Sequence, residues 1–199
     1  MTSKGSTTKQ AGSWIQKCAI ALIKVLGWKI NNTTHPATWK KAVMALAPHT
    51  SNWDFFYGML FKLSHPDIPI RFAIKKEVMF FPLSYLMNRL GAIPIDRYKT
   101  TQQTNMVAAM AEMLNKADSL ILAIAPEGTR SYVKRWKTGF YRLATATNLP
   151  IILGYMHYAK KEMGLGPTFH PTGDMEKDLA NIQDFYRNIP GKYPAQGVV

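Results

Sequence analysis

Short apolar runs alternate along the chain with stretches in which apolar residues recur every three or four positions. A short apolar run bounded by turn residues is typical of a buried strand, and the wider spacing is typical of a helix with one packed face. The pattern predicts strands at 43–47, 70–74, 91–95, 120–125 and 150–158, and helices at 54–63, at 103–116 and from Asp174 onward. Alternating strands and helices indicate a single α/β domain with a mixed, largely parallel sheet flanked by helices.

The segment 13–30 is predicted to form an N-terminal amphipathic helix. Lys17 and Lys24 share one stripe of this helix. The rest of its circumference carries Trp14, Ile15, Cys18, Leu22, Val25 and Leu26. The segment is shorter than the ~20 apolar residues that span a bilayer, and it lacks the small-residue cleavage site of a secretory signal. The pattern fits a helix that lies in a membrane interface, its lysines reaching the headgroups, and equally one that packs on the core.

The two ends of the chain have compositions typical of loose segments. Residues 1–12 are rich in Ser, Thr, Gly and Lys, and residues 190–199 contain prolines and glycines that interrupt regular structure. We predict a flexible N-terminus at 1–12 and a flexible tail at 190–199. Between them lie the helix at 13–30 and the α/β domain at 31–189, with no internal repeat or long linker.

The charge distribution indicates the kind of surface that the chain binds. The net charge is +13, and no acidic residue precedes Asp54, whereas lysines occur at positions 4, 9, 17, 24, 29, 40 and 41. Such a one-signed segment is attracted to polyanions, either an anionic membrane surface or nucleic acid. No recognition helix or base-stacking sheet is recognisable in the sequence. We therefore expect a membrane surface as the partner, and a basic nucleic-acid-binding protein is the non-enzymatic alternative.

Cysteine usage limits the possible chemistry. The chain has a single cysteine, Cys18, and neither C-x-x-C nor H-E-x-x-H spacing occurs. An internal disulfide is thus excluded, no metal site is expected, and a reducing cytoplasm is the natural compartment.

Several reactive side chains follow predicted strands directly. In open α/β sheets, sites gather at the carboxyl ends of the strands. The residues in question are His49, Lys75, Lys76, Arg97, Glu127 and Arg130. We expect these strand ends to meet in one crevice.

His49 and Asp54 are placed to form a base and its orienting partner. A carboxylate in the first turn of a helix can hold one ring nitrogen of a histidine at the preceding strand end, which leaves the other nitrogen to accept a proton. Taken alone, the pair is more typical of a structural hydrogen bond than of a catalytic base. Ser51 lies close enough in sequence to allow a Ser–His hydrolase, although no G-x-S-x-G motif marks it. The simpler mechanism lets the hydroxyl of a substrate attack.

The segment 126–131, with the sequence PEGTRS, is a candidate for anion binding. Gly128 permits a tight turn, and Arg130 offers a bidentate fork for phosphate or carboxylate. Glu127 can orient this arginine or a substrate hydroxyl, and Thr129 can form a local hydrogen bond.

Four blocks in this order resemble the glycerolipid acyltransferase family, typified by the 1-acylglycerol-3-phosphate O-acyltransferases. They are H-x4-D at His49 and Asp54, G-x-I-P-x-D-R at 91–97, P-E-G-T-R-S at 126–131, and an apolar-Pro-apolar block at 149–151. The resemblance implies that His49 is the general base and that Asp54 is its partner. It implies that the acceptor is bound by Glu127, Gly128, Thr129 and Arg130, with Arg97 and one of Lys75 or Lys76 near its phosphate.

The resemblance also implies the substrates and the location. The donor is an acyl thioester of coenzyme A or acyl carrier protein, no further cofactor is needed, and the acceptor is a lysolipid. The enzyme would be peripheral (monotopic) on the cytoplasmic face of the membrane, docked through the helix at 13–30. Two features depart from the family: Pro48 stands where asparagine is frequent, and one helix rather than two precedes the first block. Short members of this kind acylate lyso-aminolipids, which is the alternative acceptor, and a His–Asp lipid esterase is the alternative reaction.

Overall fold

The computed structural model describes residues 6–34, 38–78, 83–95 and 103–197. The helices are α1 (Ser6–Val25), α2 (Asn52–Ser64), α3 (Leu83–Arg89), α4 (Gln103–Lys116), α5 (Gly139–Thr147) and α6 (Met175–Arg187). The strands are β1 (Lys29–Ile30), β2 (Lys41–Ala47), β3 (Ile70–Lys75), β4 (Ala92–Ile95), β5 (Leu120–Ile124), β6 (Ile151–His157) and β7 (Glu162–Phe169). Among the described residues, short 3-10 turns lie at Lys76–Val78 and Pro194–Gln196.

The seven strands form one mixed sheet in the order β1-β7-β6-β2-β5-β3-β4. The five strands from β6 to β4 are mutually parallel, whereas β7 pairs antiparallel with β6 and parallel with β1. This arrangement confirms the predicted α/β class with a largely parallel sheet. The carboxyl ends of β6, β2, β5 and β3 therefore lie side by side at one edge.

Helices cover both faces of the sheet, because alternate residues of a strand point to opposite faces. Val43 and Ala45 of β2 pack with α4, α5 and α6, whereas Ala42 and Met44 pack with the side of the sheet that carries α1 and α2. The central strands are buried on both faces and consequently appear in the sequence as unbroken apolar runs. These were the segments that the sequence predicted best.

Helix α1 starts earlier and ends sooner than the predicted 13–30. Residues 6–12 belong to this helix, the flexibility predicted for 1–12 stays a prediction, and residues 1–5 lie outside the described residues. The helix ends in a Schellman motif, in which Gly27 adopts φ +76° and Trp28 N–H donates to Ile23 O at 2.9 Å. The chain then turns into β1.

Helix α1 has two apolar faces. Ala19 and Ile23 are buried, and the Gln16 side chain donates to Ser64 O of α2 at 3.0 Å. The opposite face is exposed and carries Trp14, Ile15, Cys18, Leu22 and Val25. Helix α1 thus packs on the core with one face while keeping an apolar stripe in solvent. Among the described residues, no helix combines the length and apolarity that crossing a bilayer requires.

Four elements were absent from the sequence-based prediction: β1, α3, α5 and β7. Strand β7 contains glycines at positions where another segment crosses closely. A Cβ atom at Gly164 would lie 1.9 Å from the backbone oxygen of Asn31. Glycines lower the strand signal of a sequence, although here they permit β1 to pair with β7.

Candidate active site

The β2–α2 turn brings His49 and Asp54 together. His49 Nδ1 lies 3.1 Å from Asp54 Oδ2, and the same oxygen accepts hydrogen bonds from the backbone N–H groups of Thr50 and Ser51, each at 2.8 Å. Ser51 is the N-cap of α2, and Asp54, at position N3 of the helix, completes a capping box with it. The helix start therefore fixes the carboxylate, which in turn holds Nδ1 and leaves Nε2 for proton transfer.

The two members of this pair differ in exposure. The Asp54 side chain is buried, at 7% exposure, whereas the His49 side chain retains 30%. A buried carboxylate and a partly accessible imidazole are what a general base and its orienting partner require.

Tyr158 contacts the second oxygen of Asp54. Its hydroxyl donates to Asp54 Oδ1 at 2.5 Å. Burial, together with this hydrogen bond, raises the pKa of Tyr158 well above its ordinary value, so the phenol stays protonated. Sequence analysis missed this residue. It follows β6 at the same sheet edge as His49, so the strand-end rule would have found it if phenols had been counted with the reactive groups.

Glu127 connects the β5–α5 loop to the histidine turn. Its Oε1 accepts the backbone N–H of His49 at 3.0 Å, and the residue is only 4% exposed. Oε2 is buried without a hydrogen-bond partner among the described residues. Burial raises the pKa of Glu127 to about 7, although the hydrogen bond and the charge of His49 oppose this shift. The carboxyl group therefore titrates near neutral pH.

The rest of the PEGTRS loop turns tightly beside the pair. Gly128 adopts φ +66°, a conformation that favours glycine, and its N–H donates to Ala125 O at 3.1 Å. Thr129 and Arg130 are exposed, and both line the cavity described below. The loop presents a threonine hydroxyl and a guanidinium next to the His49 turn.

The remaining predicted site residues lie at or beyond the described strand ends. Lys75 is the last residue of β3, two positions from β2 in the sheet order, and Lys76 is exposed in the following 3-10 turn. Arg97 lies outside the described residues, so its place near a phosphate stays a prediction.

A cavity of about 930 Å³ opens at this edge of the sheet. Its polar residues include His49, Asp54, Thr129, Arg130 and Lys137. Its apolar lining includes Phe55, Phe72, Ile74, Met106, Met110 and Phe140. The cavity therefore combines polar groups with an extensive apolar lining, as binding a molecule with a charged head and a long hydrocarbon chain requires.

Residues of the tail contact the site, and the flexibility predicted for 190–199 stays a prediction. Pro190 O accepts from Tyr158 N at 3.2 Å, and Tyr193 N donates to Thr50 Oγ1 at 3.3 Å. With its amide nitrogen facing two carbonyls, Gln196 donates to Thr50 O at 3.1 Å and to Arg130 O at 2.7 Å. The tail glycines permit this close approach, since a Cβ at Gly191 would lie 2.6 Å from Thr50 Oγ1.

Comparisons with known proteins concern the family and the fold. A family model described as Acyltransferase matches residues 28–154. The fold resembles the crystal structure of the 1-acyl-sn-glycerophosphate (LPA) acyltransferase PlsC from Thermotoga maritima, with a TM-score of 0.59, 14% identity, and coverage of 95% of this chain and 83% of that chain. No curated protein matches significantly in sequence.

At 14% identity, the PlsC likeness shows a shared fold. The family match covers more than half of the chain and includes all four sequence blocks. It confirms the resemblance drawn from them: the chain belongs to the acyltransferase family.

Proposed function

We propose that the protein transfers a fatty acyl group from an acyl thioester to the hydroxyl of a lysolipid, 1-acylglycerol-3-phosphate, in membrane lipid synthesis. One observation carries this proposal. The His49–Asp54 pair and Arg130 line a cavity that also has an extensive apolar lining, which includes Phe55, Phe72 and Met110. The volume of about 930 Å³ suits a long acyl chain, since ligand pockets usually measure ~300–1,000 Å³.

The mechanism uses the acceptor hydroxyl as the nucleophile. His49 Nε2 takes the hydroxyl proton as the oxygen attacks the thioester carbonyl, and Asp54 stabilises the imidazolium through Nδ1. When the tetrahedral intermediate collapses, the carbon–sulfur bond breaks and the imidazolium returns the proton to the leaving thiolate. The products are an ester and a free thiol, and His49 is neutral again.

Arg130 supports an anionic acceptor. It is exposed at the cavity beside Thr129, where its guanidinium can pair with a phosphate through two hydrogen bonds. PlsC, which shares the fold, is described as acting on 1-acyl-sn-glycerophosphate. A lyso-aminolipid is the alternative acceptor, and coenzyme A and acyl carrier protein are the two candidate carriers of the acyl group.

Helix α1 supports a peripheral location on the membrane. Its exposed stripe includes Trp14, Leu22 and Val25, and exposed Lys17 and Lys24 lie beside it on the helix. An apolar stripe flanked by lysines is typical of a helix that lies in an anionic interface. We place this helix on the cytoplasmic leaflet, which carries the anionic lipids.

Ser51 gives little support to the alternative hydrolase. It is 5% exposed, and its Oγ accepts from Trp53 N–H at 3.2 Å as the cap of α2. A hydroxyl engaged in this way serves the helix start.

The test is a transfer assay with the purified protein. The donor is either coenzyme A or acyl carrier protein loaded with a labelled acyl group, and each donor is supplied with lysophosphatidate or a lyso-aminolipid in mixed micelles. The His49→Ala variant serves as the control. We expect a labelled diacyl phospholipid from wild type with lysophosphatidate. Labelled free fatty acid with no diacyl product, or a label retained covalently on Ser51, would instead establish a hydrolase.

A further inference from the structure

The two oxygens of Asp54 have different partners. Oδ2 faces His49 Nδ1 and accepts the N–H groups of Thr50 and Ser51, whereas Oδ1 accepts the hydroxyl of Tyr158. The three contacts of Oδ2 come from the β2–α2 turn itself, within five residues of Asp54. The Tyr158 contact comes from 104 residues further along the chain.

Three other segments hold Tyr158 in place. Its ring meets Trp28 edge-on with centroids 5.0 Å apart and Tyr57 of α2 with centroids 6.0 Å apart. Its backbone N–H donates to Pro190 O in the tail, at 3.2 Å. Contacts from the turn after α1, from α2 and from the tail thus orient the tyrosine hydroxyl toward Asp54. A side chain that only filled space in the core would not need its hydroxyl to be oriented in this way.

A donor on Oδ1 changes the basicity of His49. A hydrogen bond to a carboxylate draws negative charge away from it, so Asp54 stabilises the imidazolium less than a carboxylate without this donor would. We propose that Tyr158 is a positioning residue, which fixes the Asp54 carboxylate and lowers the basicity of His49. This inference rests on the proposed function only where it predicts the effect of Tyr158 on acyl transfer. The predicted effect of Tyr158 on the titration of His49 requires no substrate.

The titratable groups around this pair come from four elements. Glu127 faces His49 from the β5–α5 loop, Tyr57 lies on α2, Tyr158 follows β6, and Tyr193 lies in the tail. Glu127 titrates close to the pH range of a histidine, so it must be held constant in the test. Each comparison below therefore leaves Glu127 unchanged and alters one tyrosine hydroxyl.

The experiment is an NMR titration of the His49 ring in wild type and in Tyr158→Phe, combined with pH profiles of kcat/KM for transfer. Removing the donor concentrates charge on Asp54, so the NMR titration of the His49 ring should lie at higher pH in Tyr158→Phe than in wild type. The acid limb of the profile should move to higher pH by the same amount, because the base must be neutral to act. We also expect kcat above this limb to fall by roughly three- to tenfold, with acceptor KM unchanged, because one fewer hydrogen bond orients the carboxylate.

Two controls separate this role from ordinary packing. Tyr57→Phe removes a neighbouring phenol that makes no hydrogen bond to Asp54 in the described structure, and it should leave the His49 pKa unchanged. Incorporation of a fluorotyrosine at position 158, a stronger donor, should shift the His49 pKa downward and covers the case in which Tyr158→Phe folds poorly. An unchanged His49 pKa in a folded position-158 variant overturns the inference. Absence of transfer by wild type, with the pKa shift present, overturns only the proposed function.

Discussion

At the scale of single residues, the turn 49–54 performs two tasks with the same atoms. Asp54 completes the capping box of α2 and holds the imidazole of His49. A start signal for a helix thereby places the imidazole and the carboxylate within hydrogen-bond distance, as the proposed base and its partner require. Substitutions here test chemistry and local structure together, so each needs a measurement of stability beside the rate.

Replacing His49 with alanine should remove the base and leave the fold intact. We expect the transfer rate to fall by ~10²–10⁴-fold, the usual contribution of a general base. Asp54→Asn should also lower the rate severely, because it releases the ring orientation, and it should lower the melting temperature more, because the buried carboxylate accepts three further hydrogen bonds. Steady-state kinetics and thermal melts provide the two measurements. Near-normal turnover of a stably folded His49→Ala protein would contradict the mechanism.

Arg130 should determine affinity for an anionic acceptor. Lysine keeps the charge at this position but cannot form the bidentate fork, so Arg130→Lys should raise the apparent KM for lysophosphatidate and leave kcat nearly unchanged. Arg142→Lys is the matched control, since Arg142 is exposed on α5 and bonds to Thr138 instead of lining the cavity. An unchanged KM in Arg130→Lys would favour a neutral or zwitterionic acceptor.

At the scale of elements, α1 has both a face packed on the core and an exposed apolar face, which the sequence presented as alternatives. Its Ala19 and Ile23 face is buried, and its Trp14 and Leu22 face is exposed. Trp28 lies within the segment 13–30 that was predicted to dock on the membrane, but it is 4% exposed and packs against Tyr57 and Tyr158. Removing residues 1–30 would therefore uncover the core, and point substitutions on the exposed stripe are the better test of membrane binding.

Acidic substitutions on the stripe should release the protein from anionic vesicles. The double variant Trp14→Glu, Leu22→Glu should float poorly at low and high salt, because it loses an apolar contribution that salt does not weaken. The double variant Lys17→Glu, Lys24→Glu should lose flotation chiefly at low salt, since each well-placed lysine contributes about 1 kcal/mol and this attraction is screened. The control is Met113→Glu, an exposed apolar position on α4 across the sheet. If both α1 variants float like this control, membrane contact lies elsewhere.

At the scale of the whole molecule, the site is held together by contacts between distant segments. Glu127 ties the β5–α5 loop to His49, Tyr158 ties the end of β6 to Asp54, and Gln196 ties the tail to both loops. A buried carboxyl among these contacts makes the stability of the fold depend on pH.

The pH dependence of unfolding should reveal Glu127. Its pKa of about 7 in the folded protein exceeds the ordinary value of 4.5, so its contribution to stability is complete below pH 4.5 and is lost as the pH rises through 7. Glu127→Gln resembles the protonated form and should match wild type near pH 5 but exceed it near pH 8, by about 3 kcal/mol. Denaturant unfolding at both pH values measures the difference. If the free energies of unfolding of Glu127→Gln and wild type differed by the same amount at pH 5 and pH 8, Glu127 would titrate in its ordinary range.

The fold was largely predictable because its central strands are buried on both faces. Such strands are apolar throughout, so 43–47, 70–74 and 120–125 matched β2, β3 and β5 closely, and helix α4 was predicted at its observed bounds. Strand β7 and the paired segment β1 were missed, because glycines at their crossing weaken the strand pattern, and two residues are too few to show a period.

The sequence by itself determined which candidate groups stand at the strand ends: His49 with Asp54, and the loop from Glu127 to Arg130. These groups are local in sequence, and a parallel sheet brings its carboxyl ends to one edge whatever the details of packing. Only the tertiary structure decided that Tyr158 bonds to Asp54, that Glu127 is buried against His49, and that the tail closes on both loops. Each of these contacts joins residues more than 60 positions apart. A local sequence pattern cannot indicate which distant side chain covers a given carboxylate or donates a hydrogen bond to it.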